Sequence, residues 1–125
     1  MKFSEYHFTP EIIKNLEMMG FKKPTDIQYK SILPIVKGED LLAIAQTGTG
    51  KTAAFAIPII NYIQKKKKNN KENVIRALVM VPTRELAQQI AEVFYKIGKG
   101  TKVKTLALYG GVEQEGQIQK LLSGV

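Results

Sequence analysis

The fold of this 125-residue chain is decided by the stretch Ala45-Gln46-Thr47-Gly48-Thr49-Gly50-Lys51-Thr52. The apolar run 41–44 precedes it and a longer apolar segment, 53–63, follows it, which indicates the order strand, glycine-rich loop, helix. Glycines let such a loop turn its N–H groups toward one point, and the following helix adds free N–H groups and the positive end of its dipole. Lys51 adds a positive charge and Thr52 a hydroxyl that can coordinate Mg²⁺. The stretch therefore predicts a triphosphate-binding loop, and the weaker alternative is a flexible loop with an ordinary lysine.

The charge of the chain favours polyanionic partners. Nineteen Lys and Arg face eleven Asp and Glu, a formal net charge of +8, which is typical of proteins that bind RNA or DNA. Much of the excess lies in the lysine run 65–68 with Lys71 close by, and such a run is more often a solvated loop than a binding patch.

The absence of cysteine narrows the class of protein further. Without cysteine the chain has neither disulfides nor a thiolate metal site, which fits a reducing compartment. No apolar run is long enough to span a bilayer, and residues 1–5 lack the apolar core of a signal peptide. We therefore expect a cytosolic protein without membrane contact, and we expect Met1 to be the natural start.

Start and stop residues divide the chain into helices. Thr9 is the expected cap of a first helix that runs from Pro10 to Gly20, and Thr25 with Gln28 has the capping-box spacing of a second helix. Further predicted boundaries are about Val36 for the end of the second helix, Lys51 to Gln64 for the third with a kink or break at Pro58, Pro82–Leu86 to Gly98 for the fourth, and Glu113 to Leu122 for a weak fifth.

Three apolar segments between these helices are predicted to be strands: Asp40–Ala45, Ile75–Val81 and Val103–Tyr109. Strands that alternate with helices indicate an α/β fold with a parallel sheet. In such sheets ligands bind beyond the carboxyl ends of the strands. The loops that follow these ends should therefore lie at one edge of the sheet: 46–51, 82–85 and 110–111.

Four segments, in this order, resemble the DEAD-box ATP-dependent RNA helicases. Residues 20–28, Gly-Phe-Lys-Lys-Pro-Thr-Asp-Ile-Gln, look like the family's Q motif, and Phe3 stands seventeen positions before them, where the family has an isolated aromatic. Residues 45–52 look like motif I, and the family itself places Ala first there. Residues 82–87, Pro-Thr-Arg-Glu-Leu-Ala, look like motif Ia, and residues 110–111 like the GG motif. Asp26 departs from the family, which usually has a second Pro at that position.

The resemblance implies a RecA-like P-loop NTPase fold, a parallel sheet flanked by helices, which is truncated here. Residues 1–125 would be part of the first RecA-like domain, with the Q-motif region at 1–29. The family's later motifs, among them Asp-Glu-Ala-Asp, are absent from the sequence, and so is a second RecA-like domain. The expected partner of this segment is therefore the second domain of the same protein.

The implied cofactors are ATP and Mg²⁺. The side-chain amide of Gln28 offers the donor and acceptor that adenine N7 and N6 require, whereas guanine presents two acceptors. The resemblance adds Phe21, stacked on the base, and Thr25 to the adenine site, and residues 45–52 to the phosphate site. Lys51 and Thr52 are the candidate catalytic residues, and Thr52 is the candidate magnesium ligand. The alternatives are a simple capping role for Gln28 and a core position for Phe21.

RNA is the implied macromolecular partner, held through phosphate and sugar without sequence specificity. Arg84 near a helix start can bind a phosphate bidentately, and glycine lets an RNA backbone come close. For Thr83 a helix cap and for Glu85 a first-turn acid on the dipole are equally favoured alternatives. The expected RNA-facing residues are Pro82, Thr83, Arg84, Glu85, Gly110 and Gly111.

The sequence thus predicts an ATP-dependent RNA helicase that separates short duplexes locally when the whole protein is present. Because the Asp-Glu pair of motif II is missing, we expect residues 1–125 alone to bind adenine nucleotide weakly and to hydrolyse none. The alternatives are another P-loop NTPase, such as a nucleotide kinase or transporter ATPase, and an RNA-binding module with a vestigial nucleotide site. DNA in place of RNA is a further alternative.

Overall fold

Five α-helices and one short 3-10 helix form the regular structure of the described residues, 1–46, 50–66 and 74–125, in the computed structural model. The 3-10 helix is Phe3–Glu5. The α-helices are α1 (Pro10–Met18), α2 (Asp26–Val36), α3 (Lys51–Lys66), α4 (Arg84–Ile97) and α5 (Gln114–Leu122). All five predicted helices are therefore present, close to the predicted boundaries.

The helix starts follow local capping chemistry in two of the three cases predicted from capping residues. Gln28 Oε1 accepts from the Thr25 backbone N–H at 2.9 Å and Thr25 Oγ1 accepts from the Gln28 N–H at 3.5 Å, which confirms the capping box of α2. The predicted side-chain cap at Thr9 is wrong. Its hydroxyl is buried and has no hydrogen-bond partner among the described residues, while its backbone N–H donates to Asn61 Oδ1 at 3.1 Å. The contact with α3 therefore sets the start of α1.

Of the kink or break predicted at Pro58, the break is wrong, because α3 runs through Pro58 to Lys66, and the kink stays a prediction. Proline removes one backbone donor from a helix and strains the preceding turn. Pro58 is fully buried, and α3 is buried along the same face at Ala54, Ile57 and Asn61. Tertiary packing on this face compensates for the lost hydrogen bond. Pro34, by contrast, lies two residues before the end of α2. That helix ends at Val36, as predicted.

The core is built around α3, which packs on α2 and on α4, while α1 packs on α4 and on the 3-10 helix. The buried apolar side chains form one cluster from all of these elements: Phe3, Tyr6, Ile12, Leu16, Ile32, Ala53, Ala56, Ile57, Ile60, Phe94 and Ile97. No residue of α5 is buried. The elements that carry the Q motif and motif I therefore belong to the core, and α5 lies outside it.

One polar side chain in this core was not predicted. Asn15 on α1 is buried, and its Nδ2 donates to the carbonyl oxygens of Ile97 and Lys99 at 2.7 Å each. The Ile97 carbonyl belongs to the last turn of α4, which leaves acceptors without intrahelical donors, and the Lys99 carbonyl follows the C-cap Gly98. Asn15 thus caps α4 from another helix.

The parallel sheet is not confirmed, because none of the segments 40–46, 74–81 and 103–109 forms a strand. Side chains expected to be buried on both faces are instead open: Leu42, Ile44, Leu78 and Met80 are between 81% and 89% exposed. A strand is defined by hydrogen bonds to a neighbouring strand. An apolar run indicates that a segment is buried but does not identify such a neighbour. Within the described residues nothing covers the outer face of these segments.

The segments 74–81 and 103–108 nevertheless lie over α3 and α4. Together with apolar residues of the two helices, among them Ile59, Ile90 and Phe94, they line an open cleft of about 380 Å³. The gap shows that this layer is not packed tightly on the helices. None of the helices in the described ranges is both long and apolar enough to cross a bilayer.

Candidate functional site

The Q-motif segment is held in place by aromatic packing and backbone bonds. The Phe21 ring stacks on Phe3 with 6.4 Å between centroids, and Phe3 donates its backbone N–H to the Lys22 carbonyl at 3.2 Å. Phe3 is buried, whereas Phe21 is partly open beside the core. Phe3, the isolated upstream aromatic, therefore packs against the Phe21 ring, and part of that ring stays accessible to solvent.

Gln28 joins the Q motif to the glycine-rich loop. Its Oε1 accepts from Thr25 in the capping box, and its Nε2 donates to the Gly50 carbonyl at 3.2 Å. The side chain is only 3% exposed. A carboxamide oxygen has two lone pairs and its nitrogen two hydrogens, so one acceptor and one donor position of Gln28 remain. The bond to Thr25 confirms the capping role, and the ligand-binding role stays a prediction.

Gly50 can occupy its position only because it lacks a side chain. Its φ is +79°, in the region that other residues rarely adopt, and a Cβ at this position would collide with the Gln28 amide. Gly50 also accepts the first hydrogen bond of α3, from Ala54 N–H at 3.2 Å. The glycine thus sets both the contact with the Q motif and the start of the helix.

Lys51 and Thr52 are the first two residues of α3, where backbone N–H groups have no acceptor within the helix. The Lys51 Nζ donates to the Ala45 carbonyl at 2.7 Å, so the ammonium group lies across the loop from its own helix. Gln46 is exposed. The remaining predicted phosphate-binding residues, Thr47, Gly48 and Thr49, lie outside the described residues.

Motif Ia and the GG motif also meet. The Arg84 Nη2 donates to the Gly110 carbonyl at 2.9 Å, and the guanidinium carbon lies 5.3 Å from the centre of the Tyr109 ring. Gly111 has a φ of +76°, and a Cβ there would come within 2.9 Å of Arg84 Nη2. The two segments form one surface, with an arginine over a glycine backbone.

The other predicted residues of motif Ia lie at the exposed start of α4. Thr83 is its N-cap and accepts from the Leu86 N–H at 3.2 Å, which confirms the capping interpretation of this hydroxyl. Glu85 lies in the first turn, where an acid interacts favourably with the helix dipole. Pro82 is exposed and adjoins the cap.

Sequence reasoning missed the residues that support Arg84. The Gln88 Nε2 donates to Tyr109 Oη at 3.4 Å, and the Tyr109 backbone N–H donates to Gln117 Oε1 at 3.0 Å. Arg84 and Gln88 are four residues apart, a spacing that places both on one helix face. That spacing indicates that Gln88 lies on the same helix face as Arg84. Nothing in the sequence indicated that Tyr109 contacts this face.

The lysine run has partners at its described end. The Lys65 Nζ donates to the His7 carbonyl at 2.9 Å, and Lys66 lies over the Tyr62 ring at 5.9 Å. Both lysines are in the last turn of α3, where positive charge favours the helix dipole. Within the described ranges, no group of three or more His, Asp or Glu side chains is placed to hold a metal ion.

Known proteins with similar sequences share one description. The helicase CshA of Listeria monocytogenes, an ATP-dependent RNA helicase by name, is 45% identical over 96% of this chain. The DEAD-box ATP-dependent RNA helicase RhpA of Helicobacter pylori is 48% identical over 87% of it, and the ATP-dependent rRNA helicase RRP3 of Saccharomyces cerevisiae 41% identical over 96%. This chain spans about a fifth of these relatives, at 22%, 21% and 23% of their lengths.

A solved structure of similar fold belongs to the same group of proteins. The crystal structure of a DEAD box protein from Methanococcus jannaschii superposes with a TM-score of 0.86 at 38% identity, and the match covers 97% of this chain and 32% of that one. The sequence model of the DEAD/DEAH box helicase family matches residues 25–125, which include the glycine-rich loop, motif Ia and the GG motif. The chain belongs to the DEAD/DEAH box helicase family.

Proposed function

We propose that residues 1–125 form part of the first RecA-like domain of an ATP-dependent RNA helicase and carry its adenine, phosphate and part of its RNA-backbone contacts. The hydrogen bond from Gln28 to Gly50 carries this proposal, because it joins the Q motif to the triphosphate loop. The names of the relatives, all ATP-dependent RNA helicases, support it. In the whole protein a second RecA-like domain would complete the site.

The residues present fit an adenine nucleotide. Gln28 retains one donor and one acceptor, which is the pair that adenine N7 and N6 require. Thr25 adjoins it through the capping box, and the partly open Phe21 ring offers a stacking surface. We propose these three residues as the adenine site.

The phosphates would bind at the start of α3. Lys51 already holds its ammonium group against a carbonyl of the loop, so a phosphate oxygen can replace the Ala45 carbonyl as its partner. The N–H groups at the helix start, which have no acceptor within the helix, favour the same anion. Thr52, beside Lys51, is the proposed Mg²⁺ ligand of this chain. Bound ATP supplies the phosphoanhydride bond whose hydrolysis would drive the helicase cycle.

RNA would bind at the surface formed by motif Ia and the GG motif. Arg84 is exposed and uses one of its five donors for Gly110, so the others can bind a phosphate. The exposed backbone of Gly110 and Gly111 allows a sugar-phosphate chain to approach. Pro82 and Glu85 flank this surface. Contacts of this kind position RNA without reading its bases.

The test is ATP turnover by the full-length natural protein that carries this sequence, with and without single-stranded RNA. We expect RNA-stimulated turnover that Lys51→Ala abolishes. The matched control is Lys66→Ala, which removes an exposed lysine from the other end of the same helix and should leave turnover unchanged. Turnover that RNA does not stimulate would favour another P-loop NTPase, and RNA binding without turnover would favour a vestigial nucleotide site.

The 125-residue chain itself gives a second test. It should bind a fluorescent adenine nucleotide and show no turnover, because the acidic pair of motif II is not in the sequence. Hydrolysis by this chain that disappears in Lys51→Ala would contradict the proposed division of labour.

A further inference from the structure

Tyr109 connects three parts of the molecule directly before the GG motif. Its ring lies under the Arg84 guanidinium, and its hydroxyl accepts from Gln88 of α4. Its backbone N–H donates to Gln117 of α5. Tyr109 is thus fixed at the ring, at the hydroxyl and at the backbone, although α5 has no buried residue of its own.

The contact with Tyr109 restricts an otherwise mobile arginine. An exposed arginine loses considerable side-chain entropy when it is ordered on a ligand. Here the guanidinium already has two contacts, with the ring beneath it and with the Gly110 carbonyl through Nη2. Gly111 leaves room for this position, since a Cβ there would reach Nη2. The remaining donors of Arg84 are presented in one orientation.

We propose that Tyr109 is a positioning residue of the RNA-binding surface, whose ring holds the Arg84 guanidinium in the orientation that binds a phosphodiester of a single RNA strand. This inference rests on the proposed function. It adds Tyr109, with Gln88 and Gln117 as its supports, to a surface that otherwise consists of motif Ia and the GG motif.

The arrangement also determines what the ring does not do. The face of Tyr109 that carries the guanidinium is closed to a nucleobase. A base cannot stack on that face, so the face adds no base preference. The ring contributes to RNA binding by holding the positively charged guanidinium of Arg84. Its effect on RNA affinity should accordingly depend on Arg84 and should weaken with salt as a phosphate contact does.

The test is a double-mutant cycle on the full-length natural protein, with a short fluorescent oligouridylate as the probe and fluorescence anisotropy as the readout. Tyr109→Leu should weaken RNA binding about two- to fivefold, the range of an exposed cation–π contact. In an Arg84→Ala background the same substitution should have no further effect. Tyr109→Phe keeps the ring and loses only the 3.4 Å bond to Gln88, so it should retain most of the RNA affinity that Tyr109→Leu loses.

Two accompanying measurements separate positioning from general support of the fold. Affinity for a fluorescent adenine nucleotide should be the same in Tyr109→Leu and in the wild type. The slope of log affinity against log salt should decrease by about one in Arg84→Ala. A loss of nucleotide affinity in Tyr109→Leu equal to its loss of RNA affinity would overturn the inference.

The remaining outcomes are equally decisive. Equal weakening by Tyr109→Leu in both backgrounds would show that the ring acts independently of Arg84, and tighter RNA binding would show that the ring holds the arginine away from RNA. Either result overturns the inference and leaves the proposed function intact. A wild-type protein that does not bind the oligouridylate overturns the proposed function itself, and this inference with it.

Discussion

Two contacts to glycine carbonyls lie at the starts of two neighbouring helices, and they differ in burial. At the start of α3 the Gln28 amide, 3% exposed, donates to the Gly50 carbonyl. At the start of α4 the exposed Arg84 guanidinium donates to the Gly110 carbonyl. The first contact is part of the core, and the second lies on the surface beside a tyrosine ring. The difference predicts that the Gln28 contact contributes to folding, whereas the Arg84 contact contributes little to it.

The physical basis of this difference is the fate of an unpaired group. A buried donor that loses its acceptor costs about 1–3 kcal/mol, because water cannot replace the acceptor. An exposed guanidinium that loses its acceptor binds water instead. Removal of the Gln28 contact should therefore change stability and nucleotide affinity together, while removal of the Arg84 guanidinium should change RNA affinity with little change in stability.

Gly50→Ala should have the largest effect, a loss of about 2–4 kcal/mol in the free energy of unfolding. The φ of +79° strains alanine, and its Cβ displaces the buried Gln28 amide. Nucleotide affinity should fall in parallel, as measured by denaturant unfolding and by titration with a fluorescent adenine nucleotide. Gly38→Ala is the matched control, since Gly38 has a φ of +78° and open space around it. Equal losses in both variants would show that the contact with Gln28 contributes nothing.

Lys51→Ala should separate the two properties within the nucleotide site. Nucleotide affinity should fall by about 1.5–3 kcal/mol, the contribution of a charge-assisted hydrogen bond. Stability should change by less than about 0.5 kcal/mol, because Lys51 is exposed and its present partner is a single carbonyl. Titration and thermal unfolding of the same preparation give both values. A large loss of stability would show that Lys51, like Gln28, contributes to the stability of the fold.

Gly111→Ala tests the surface contact. The φ of +76° should cost about 1–2 kcal/mol of stability, and RNA affinity should fall as well, because the new Cβ displaces Arg84 Nη2. Gly100→Ala, with a φ of +79° and no atom near its Cβ position, should lose similar stability and keep its RNA affinity. Unfolding curves and anisotropy with labelled RNA distinguish them. The comparison between the two sites would be wrong if both variants lost RNA affinity equally.

Thr83→Ala should have the smallest effect, about 1 kcal/mol of stability, since it removes the hydroxyl that caps α4. Thr83→Ser keeps the hydroxyl and should behave as the wild type in thermal unfolding and in RNA binding. An unchanged stability in Thr83→Ala together with weaker RNA binding would assign the hydroxyl to RNA instead of the cap.

The features that sequence predicted correctly are local. The capping box of Thr25 and Gln28 and the cap at Thr83 depend on residues three positions apart, so their spacing in the sequence is nearly their geometry in space. The sequence also predicted the approach of motif Ia to the GG motif, over a longer separation, although the parallel sheet from which that prediction followed is not confirmed. The contact between Arg84 and Gly110 agrees with that placement.

The features that sequence missed depend on distant partners. Thr9 has the composition of a cap, but its N–H is bound by Asn61, fifty-two residues away, and its hydroxyl is buried. Pro58 is tolerated because it lies on the buried, packed face of α3. Rules that use only neighbouring residues do not include this tertiary packing. The segments 74–81 and 103–109 have the apolar pattern of strands, but pairing requires a neighbour that the pattern does not specify.

The bond from Asn15 to the end of α4 has a consequence for the order of events during synthesis. The acceptor at Ile97 follows Asn15 by 82 residues, so at ribosomal rates it is made about 4–16 s later. Until then the Asn15 amide has only water as a partner, and the apolar residues beside it, Ile12 and Leu16, cannot reach their final environment on α4. The docking of α1 on α4 therefore cannot precede the synthesis of residue 97.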